Sequence, residues 1–234
     1  MKRRLEEQEK SRKFYNDTYH ASPPDRPHVS CHLRRLAKKL EVAPDQRILD
    51  VACGTGNWLM AATALGAEPS GIDLSQNAID VCKRNLPNGH FVCGSAELLP
   101  FPDSHFDIVT CFGALEHFLD QQIALKEIVR VARYGAKIIL LVPNSDFLTA
   151  KLGLYKGTHQ AEIKEESKTI EEWNQLFECS GLKVEAKWRD LHILNWSWIF
   201  RGVWYLIPLR ILQALVLPFL PLRWQYQIYF LCQK

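Results

Sequence analysis

The chain has 234 residues, enough for one α/β domain with a full hydrophobic core and a small cap. Its net charge of +3, from 29 basic and 26 acidic side chains, argues against the strong positive field typical of nucleic-acid-binding proteins. Seven cysteines without a C-x-x-C pair argue against a zinc site or a disulfide framework, so we expect a reduced, cytoplasmic protein without a metal.

The N-terminal part, residues 1–45, is predicted to be a helical cap. Its opening stretch, MKRRLEEQEKSRK, is strongly charged and is not followed by the apolar region of a secretion signal, which indicates a solvated helix. The next stretch, KFYNDTYH, contributes Tyr15 and Tyr19. Simple helix packing is one explanation for these tyrosines, and contact with a ligand is the other.

Strands and helices alternate across residues 46–190, which we interpret as the core of the domain. Five strands are predicted in RILDVAC, PSGIDLS, HFVCGSA, FDIVTCFGAL and AKIILLVPN. Helices are predicted in NWLMAATAL, in SQNAIDVCKRNL, and in DQQIALKEIVRVARYG up to Gly135. This alternation implies a parallel sheet covered on both faces, with ligands bound at the carboxyl ends of the strands.

The stretch ILDVACGTGNWL places Gly54 and Gly56 directly after the first predicted strand. The dinucleotide fingerprint needs a third glycine, which is absent here, and this argues against a nicotinamide-dependent oxidoreductase. Acidic residues, Asp50 and Asp73, end the first two strands. Together with GIDLS, GSAELLPFPDSHFD and ALEHF, this pattern resembles the class I S-adenosylmethionine-dependent methyltransferases over roughly residues 46–144.

The resemblance implies a Rossmann-like, doubly wound α/β fold with a seven-stranded sheet whose last strand is antiparallel. It also implies S-adenosyl-L-methionine as the cofactor, with Asp50 near its amino group and Asp73 at its ribose, where a carboxylate can accept two hydrogen bonds. The family usually has glycine at the position of Ala52 and aspartate at that of Ser95. The complete predicted cofactor-binding set is Asp50, Ala52, Gly54, Gly56, Asp73, Leu74, Ser95, Ala96, Glu97, Phe112, Gly113 and Tyr15.

Methyl transfer to a hydroxyl group is helped by a general base, and histidine has a suitable unperturbed pKa. His117 lies in ALEHF, where related enzymes line the acceptor pocket, which makes it the first catalytic candidate. Glu116 is an alternative base or a residue that orients His117, and His159 is a second candidate after the fifth strand. A structural or surface role is the alternative for both histidines.

A hydrophobic helical insertion, residues 191–221, is predicted between the sixth strand, LKVEAKWR, and an antiparallel seventh strand within residues 222–234. The chain from Leu191 to its end has no Asp or Glu. Pro208 and Arg210 interrupt its longest apolar window, so a membrane span is not expected. Three roles stay open: contact with a membrane interface, a roof over an apolar pocket, or a structural cap or dimer contact.

These observations predict methyl transfer to a hydrophobic small-molecule or lipid-like acceptor, with oxygen as the first choice of acceptor atom and carbon and nitrogen left open. The alternative is a methyltransferase-like protein that binds the cofactor without catalysis and serves as a partner or scaffold. No nucleic-acid partner is expected, peripheral membrane contact stays open, and the oligomeric state does not follow from the sequence.

Overall fold

The structure of the protein, a computed structural model, describes residues 2–21, 29–151, 153, 165–192, 199–200 and 204–234. Within these ranges the strands form one seven-stranded sheet. They are β1 Arg47–Val51, β2 Glu68–Asp73, β3 His90–Cys93, β4 Phe106–Phe112, β5 Ala132–Pro143, β6 Lys183–Arg189 and β7 Gln227–Gln233.

The strand order is β3-β2-β1-β4-β5-β7-β6. The first five strands are parallel, and β7 runs antiparallel to both β5 and β6. This topology confirms the predicted Rossmann-like fold with an antiparallel last strand. From β1 the strand order runs to one edge of the sheet through β2 and β3, and from β4 it runs to the other edge through β5. The carboxyl ends of β1 and β4 therefore form the crevice in which such sheets bind ligands.

Helices lie on both faces of the sheet, and the two sets of buried side chains follow the alternation of the strands. Ile48 and Leu49 are neighbours in β1, yet they belong to separate hydrophobic clusters on opposite faces. The helices are α1 Lys2–Phe14, α2 Cys31–Lys39, α3 Asn57–Thr63, α4 Gln76–Asn85, α5 Gln121–Val131, α6 Leu148–Lys151, α7 Ile170–Cys179 and α8 Ile207–Val216.

The helix predicted to continue to Gly135 ends earlier, at Val131. The carbonyl groups of Arg130 and Val131 accept hydrogen bonds from the backbone amides of Ser104 and His105, so the last turn is bonded to the loop before β4. The chain then passes directly into β5. A tertiary contact therefore ends this helix before its glycine.

The segment before β7 is attached to the carboxyl end of β5. Asn144 follows β5, and its side-chain amide donates hydrogen bonds to the carbonyl groups of Arg223 and Gln225. Within the described ranges, no helix combines the length and hydrophobicity needed to cross a membrane.

Candidate active site

A cavity of about 980 Å³ opens at the carboxyl ends of β1, β2 and β4 and is also lined by α1. This volume is near the upper end of the range of about 300 to 1,000 Å³ that is usual for ligand pockets. The sheet and the N-terminal cap thus enclose one large site. The predicted residues that line it are Asp50, Ala52, Gly54, Asp73, Leu74, Ser95, Ala96, Glu97, Phe112, Gly113, Tyr15 and His117.

Two other predicted site residues, Gly56 and Glu116, do not line the cavity. Gly56 begins α3 with a left-handed φ of 77°, and a Cβ atom there would lie 2.9 Å from Sγ of Cys82, so this glycine allows close packing of two helices. Glu116 is buried next to the cavity without forming part of its wall. His159 falls outside the described residues.

Asp73, the last residue of β2, is buried in the floor of the cavity. Its Oδ2 accepts a hydrogen bond from the Gly54 amide and its Oδ1 accepts one from the Ser75 amide, both at 2.8 Å. Burial raises the pKa of this carboxyl above its ordinary value, and the backbone hydrogen bonds oppose that rise. Each carboxylate oxygen can accept a second hydrogen bond, so Asp73 can also bind a pair of ligand hydroxyl groups.

Asp50 is the second buried carboxyl of the floor. Thr110, on the neighbouring strand, donates a hydrogen bond from Oγ1 to Oδ1 of Asp50 at 2.6 Å. Burial raises the pKa of Asp50 to about 7, the Thr110 hydrogen bond opposes this rise, and the charge of Asp73 adds to it. Among the described residues no lysine or arginine pairs with either carboxyl, so the floor favours a ligand with a positive charge and hydroxyl groups.

The loop after β1 contains residues with positive φ angles, which small residues tolerate best. Ala52 adopts a left-handed φ of 61°, which explains why glycine is the usual residue at this position. Gly54 has a φ of 50°, and a Cβ atom there would lie 3.8 Å from Cε1 of His20. The imidazole of His20 therefore covers this loop from the N-terminal side.

The N-terminal cap is bonded to the loop that follows Asp73. A π-helical turn, Tyr15–Tyr19, follows α1. The side-chain oxygen of Asn16 accepts hydrogen bonds from Ser75 Oγ at 3.3 Å and from the Asn77 amide at 3.1 Å. In return, Nδ2 of Asn77 donates to the carbonyl groups of Asn16 and His20, at 3.0 and 3.3 Å. These bonds hold the cap over the cavity, and π-helical turns are frequent at functional sites.

We expect Asn77→Ala to release the cap, because this substitution removes both side-chain hydrogen bonds to its carbonyl groups. Two such bonds correspond to about a tenfold increase in the amide exchange rate of residues 2–21. Hydrogen exchange with mass spectrometry measures this rate. The neighbouring Gln76→Ala, whose side chain bonds to Asp80 within α4, is the matched control. Equal exchange in the two variants would contradict the role of Asn77.

Glu116 and His117 lie in a short 3-10 turn, Leu115–His117, that follows β4. His117 lines the cavity, together with Phe112 and Phe118. Glu116 is buried, and its Oε2 has no hydrogen-bond partner among the described residues. Burial raises the pKa of Glu116 to about 7, and the charge of Glu165 adds to this rise. His117 therefore faces the cavity, whereas Glu116, the preceding residue, is a buried carboxyl behind the wall.

Most of the apolar wall at this end of the cavity could not be predicted from the sequence. Trp58 and Phe112 have their ring centroids 5.5 Å apart, and both rings line the site. Aromatic and aliphatic residues in helices α2 and α3 have no chemical signature of their own, so only the fold identifies them. The additional lining residues are Gln8, Ser11, Tyr19, His20, Leu33, Cys53, Thr55, Asn57, Trp58, Ile72, Gly94, Ala114, Phe118 and Leu119.

A polar cluster supports this wall from behind. The ring of Tyr229 contacts Phe112 at a centroid distance of 5.6 Å, and its hydroxyl lies 3.0 Å from Nε2 of His32. Asp190 is buried and pairs with both His32 and His192. Burial lowers the pKa of His32, whereas the hydrogen bond to Asp190 raises the pKa of His192. The cluster connects α2 to β7 and to the end of β6, and it contacts Phe112 through the ring of Tyr229.

Comparison with known proteins identifies relatives of this chain. The methyltransferase domain family matches residues 49–140. The uncharacterized methyltransferase YcgJ of Bacillus subtilis is 30% identical over 178 residues, which are 71% of this chain and 69% of that protein. A demethylmenaquinone methyltransferase of Staphylococcus haemolyticus is 36% identical over 129 residues, 53% of this chain and 54% of that protein. The chain thus spans about half the length of this second relative.

Solved structures show the same fold. The crystal structure of YcgJ has a TM-score of 0.58 at 23% identity and covers 86% of this chain and 96% of its own. An S-adenosylmethionine-dependent methyltransferase from Mesorhizobium loti has a TM-score of 0.62 at 16% identity, with 86% of this chain and 96% of its own covered. At these identities the structural likeness extends to the fold alone.

Proposed function

The chain belongs to the class I S-adenosylmethionine-dependent methyltransferases, and on this premise we propose that it methylates an oxygen atom of a hydrophobic small-molecule or lipid-like acceptor. The observation that carries the proposal is the composition of the cavity at the carboxyl ends of the strands. Its floor has two buried carboxyls, whereas the end beyond β4 has an apolar wall beside His117. One site thus offers a polar half and an apolar half.

S-adenosyl-L-methionine is the cofactor of this family, and the polar half fits it. Asp73 has acceptor capacity for the ribose hydroxyls, and Asp50 can pair with the amino group, which offsets the burial of its charge. The loop at Ala52 and Gly54 brings backbone close to the same space. When bound, the cofactor supplies an activated methyl group, so positioning and exclusion of water are the main tasks left to the protein.

The apolar half supports a hydrophobic acceptor. Leu33, Trp58, Phe112, Phe118 and Leu119 line it. A relative named demethylmenaquinone methyltransferase is consistent with a small-molecule acceptor, although it matches only about half of this chain. Of the catalytic candidates, His117 reaches the cavity and would take the proton of an acceptor hydroxyl, whereas Glu116 lies behind the wall and would act as a positioning residue.

Transfer of a labelled methyl group tests this function. The purified protein is incubated with methyl-labelled cofactor and matched apolar phenols and anilines, and the products are identified by mass spectrometry. We expect methyl ethers of the phenols, with one proton released for each methyl group transferred. Methylation of the anilines alone would overturn the oxygen assignment, and cofactor binding without any transfer would favour the non-catalytic alternative.

Cofactor affinity is expected to depend on pH through Asp50. Because the pKa of this buried carboxyl is raised to about 7, its charged form becomes rarer as the pH falls below 7, by up to tenfold for each pH unit. The amino group of an amino acid stays protonated in that range. We therefore expect calorimetry to show affinity falling from pH 7 to pH 5. Asp50→Asn should bind the cofactor weakly, with an affinity that changes less with pH. Glu116→Gln should keep the pH dependence of affinity of the unchanged protein. If Asp50→Asn kept that pH dependence as well, Asp50 would not be the group that pairs with the amino group of the cofactor.

The same pKa shift has the opposite consequence for the protein without its cofactor. The folded-state pKa of Asp50 lies above its ordinary value of 3.8, so the folded protein holds this proton more tightly than the unfolded chain. The resulting stability is fully present below about pH 4 and is lost as the pH rises through 7. Cofactor binding and folding therefore respond to pH in opposite directions at this residue.

A further inference from the structure

Helix α8 exposes an apolar face to solvent. Its exposed residues Ile211, Leu212, Leu215 and Val216 recur at the spacing of one helix face, whereas Ala214, on another side of the helix, is buried. A surface helix of a water-soluble domain normally has the reverse arrangement, with its apolar stripe towards the core. This orientation indicates that something other than water contacts the outer side of the helix.

The exposed apolar surface extends beyond the helix on both sides. Trp204 is 79% exposed and Phe219 is 87% exposed. Elsewhere in the described chain, exposed large apolar side chains such as Leu98 and Tyr134 are far apart in sequence. Contiguous exposed apolar patches mark interaction sites rather than ordinary surface. We define the apolar face as Trp204, Ile211, Leu212, Leu215, Val216 and Phe219.

The position of the apolar face is fixed by buried polar contacts. Gln225 is 1% exposed, and its Nε2 donates hydrogen bonds to the carbonyl groups of Leu217 and Leu220, at 2.8 and 3.2 Å. The carbonyl group of Gln225 in turn accepts a hydrogen bond from Asn144, directly after β5. These contacts attach the segment that follows α8 to the carboxyl end of the sheet, which is the end where the cavity opens.

Charge and geometry together favour a lipid surface as the partner. After Asp190 the chain has no acidic residue, so the charged residues nearest in sequence to the apolar face are basic, among them Arg210 and the exposed Arg223. Within the described ranges, no residue after Leu119 lines the cavity, so these apolar side chains do not form the roof of the acceptor pocket. Exposed leucines on a helix, with Trp and Phe in the turns on either side and basic residues nearby, resemble the composition of interfacial membrane segments.

We propose that α8 and its flanking turns bind an anionic membrane surface, with the apolar face among the acyl chains and Arg223 at the headgroups. The apolar face then lies in the bilayer interface at the same end of the protein as the cavity. A lipid-like acceptor could therefore enter the cavity without crossing water, a step that rests on the proposed function, whereas membrane binding itself does not.

Co-sedimentation with lipid vesicles tests the proposal on the full chain, without cofactor or acceptor. We expect binding to vesicles of phosphatidylglycerol and phosphatidylcholine, and much weaker binding to phosphatidylcholine alone. Leu212→Gln combined with Leu215→Gln should lower the affinity at least about tenfold, since two large apolar groups are lost from the interface. Arg223→Glu should lower it about fivefold or more.

Matched variants elsewhere on the surface provide the controls. Ile123→Gln with Tyr134→Gln removes exposed apolar side chains from other parts of the chain, and Arg84→Glu reverses an exposed charge on α4; each should bind vesicles like the unchanged protein. Circular dichroism and cofactor affinity verify that all variants are folded. Vesicle binding unaffected by the leucine changes would overturn the proposal. Failure to bind any vesicle would also overturn it. So would the finding that the protein is a dimer in solution and that the leucine changes dissociate this dimer.

A failed methyl-transfer assay would leave the vesicle result intact, so the two proposals are tested separately.

Discussion

His117→Ala is expected to lower the rate of methyl transfer by about 10² to 10⁴, the usual contribution of a general base. His117 lies in the turn after β4 and lines the cavity beside Phe112, at the apolar end of the site. The two buried carboxyls of the polar end are left unchanged by this substitution. We therefore expect cofactor affinity to stay within about twofold of the unchanged protein. Single-turnover rates with a phenolic acceptor, together with calorimetry, measure the two effects.

Two further variants distinguish the base from its neighbours. Glu116→Gln should reduce turnover less than His117→Ala, and should change its pH profile, because the pKa of Glu116 is raised to about 7. His90→Ala changes an exposed histidine at the start of β3, at the opposite end of the sheet, and should leave both quantities unchanged. If His117→Ala kept full turnover while Glu116→Gln abolished it, Glu116 would be the base instead.

Asp73→Ala is expected to weaken cofactor binding by about 1.5 to 3 kcal/mol, the usual value for hydrogen bonds to a charged acceptor. The loss has two parts in this structure. The carboxylate that would accept the ribose hydroxyls is removed, and the amides of Gly54 and Ser75 lose the acceptor that holds their loops together. Titration calorimetry at pH 8, where Asp50 is ionised, measures the affinity.

Asp107 provides the matched control for this prediction. It is also a buried carboxylate, in β4, and it accepts a hydrogen bond from the Arg47 amide at 2.7 Å and pairs with Arg133. It lies near the amino end of β4 and does not line the cavity. Asp107→Ala should therefore lower the melting temperature and spare cofactor affinity. Equal loss of affinity in the two variants would trace the effect to general destabilisation, and unchanged affinity in folded Asp73→Ala would remove this residue from the cofactor site.

Much of the fold followed from local patterns in the sequence. Apolar runs alternating with amphipathic helices predict a parallel sheet, and the residues after the first two strands predicted where its binding crevice lies. Asp50 and Asp73 could be placed together because each lies at the carboxyl end of a parallel strand, and the carboxyl ends of neighbouring parallel strands lie at one edge of a sheet. These relations depend on strand direction alone, so they require no knowledge of side-chain contacts.

Other features of the site depend on contacts between distant parts of the chain. Asn16 and Asn77 form the bonds that hold the cap, yet neither residue has a sequence pattern that identifies its partner. The apolar wall around Trp58 was missed for the same reason, since core and pocket residues have the same composition. In these cases the contacts of the N-terminal cap with α4, and the packing of α3 against the sheet, decided which ordinary side chains face the ligand space.

The C-terminal segment, residues 191–234, has some properties that follow from its sequence and others that follow only from the tertiary structure. Its lack of acidic residues and its apolar composition are properties of the sequence, and they limited its role to an interface, a roof or a cap. The exposure of Leu212 and Leu215 is seen only in the tertiary structure, where Ala214 is the buried residue of the helix and hydrogen bonds of Gln225 and Asn144 attach the segment after α8 to the carboxyl end of β5. Composition determines how strongly a helix avoids water, but only its packing against the rest of the fold determines which face it exposes.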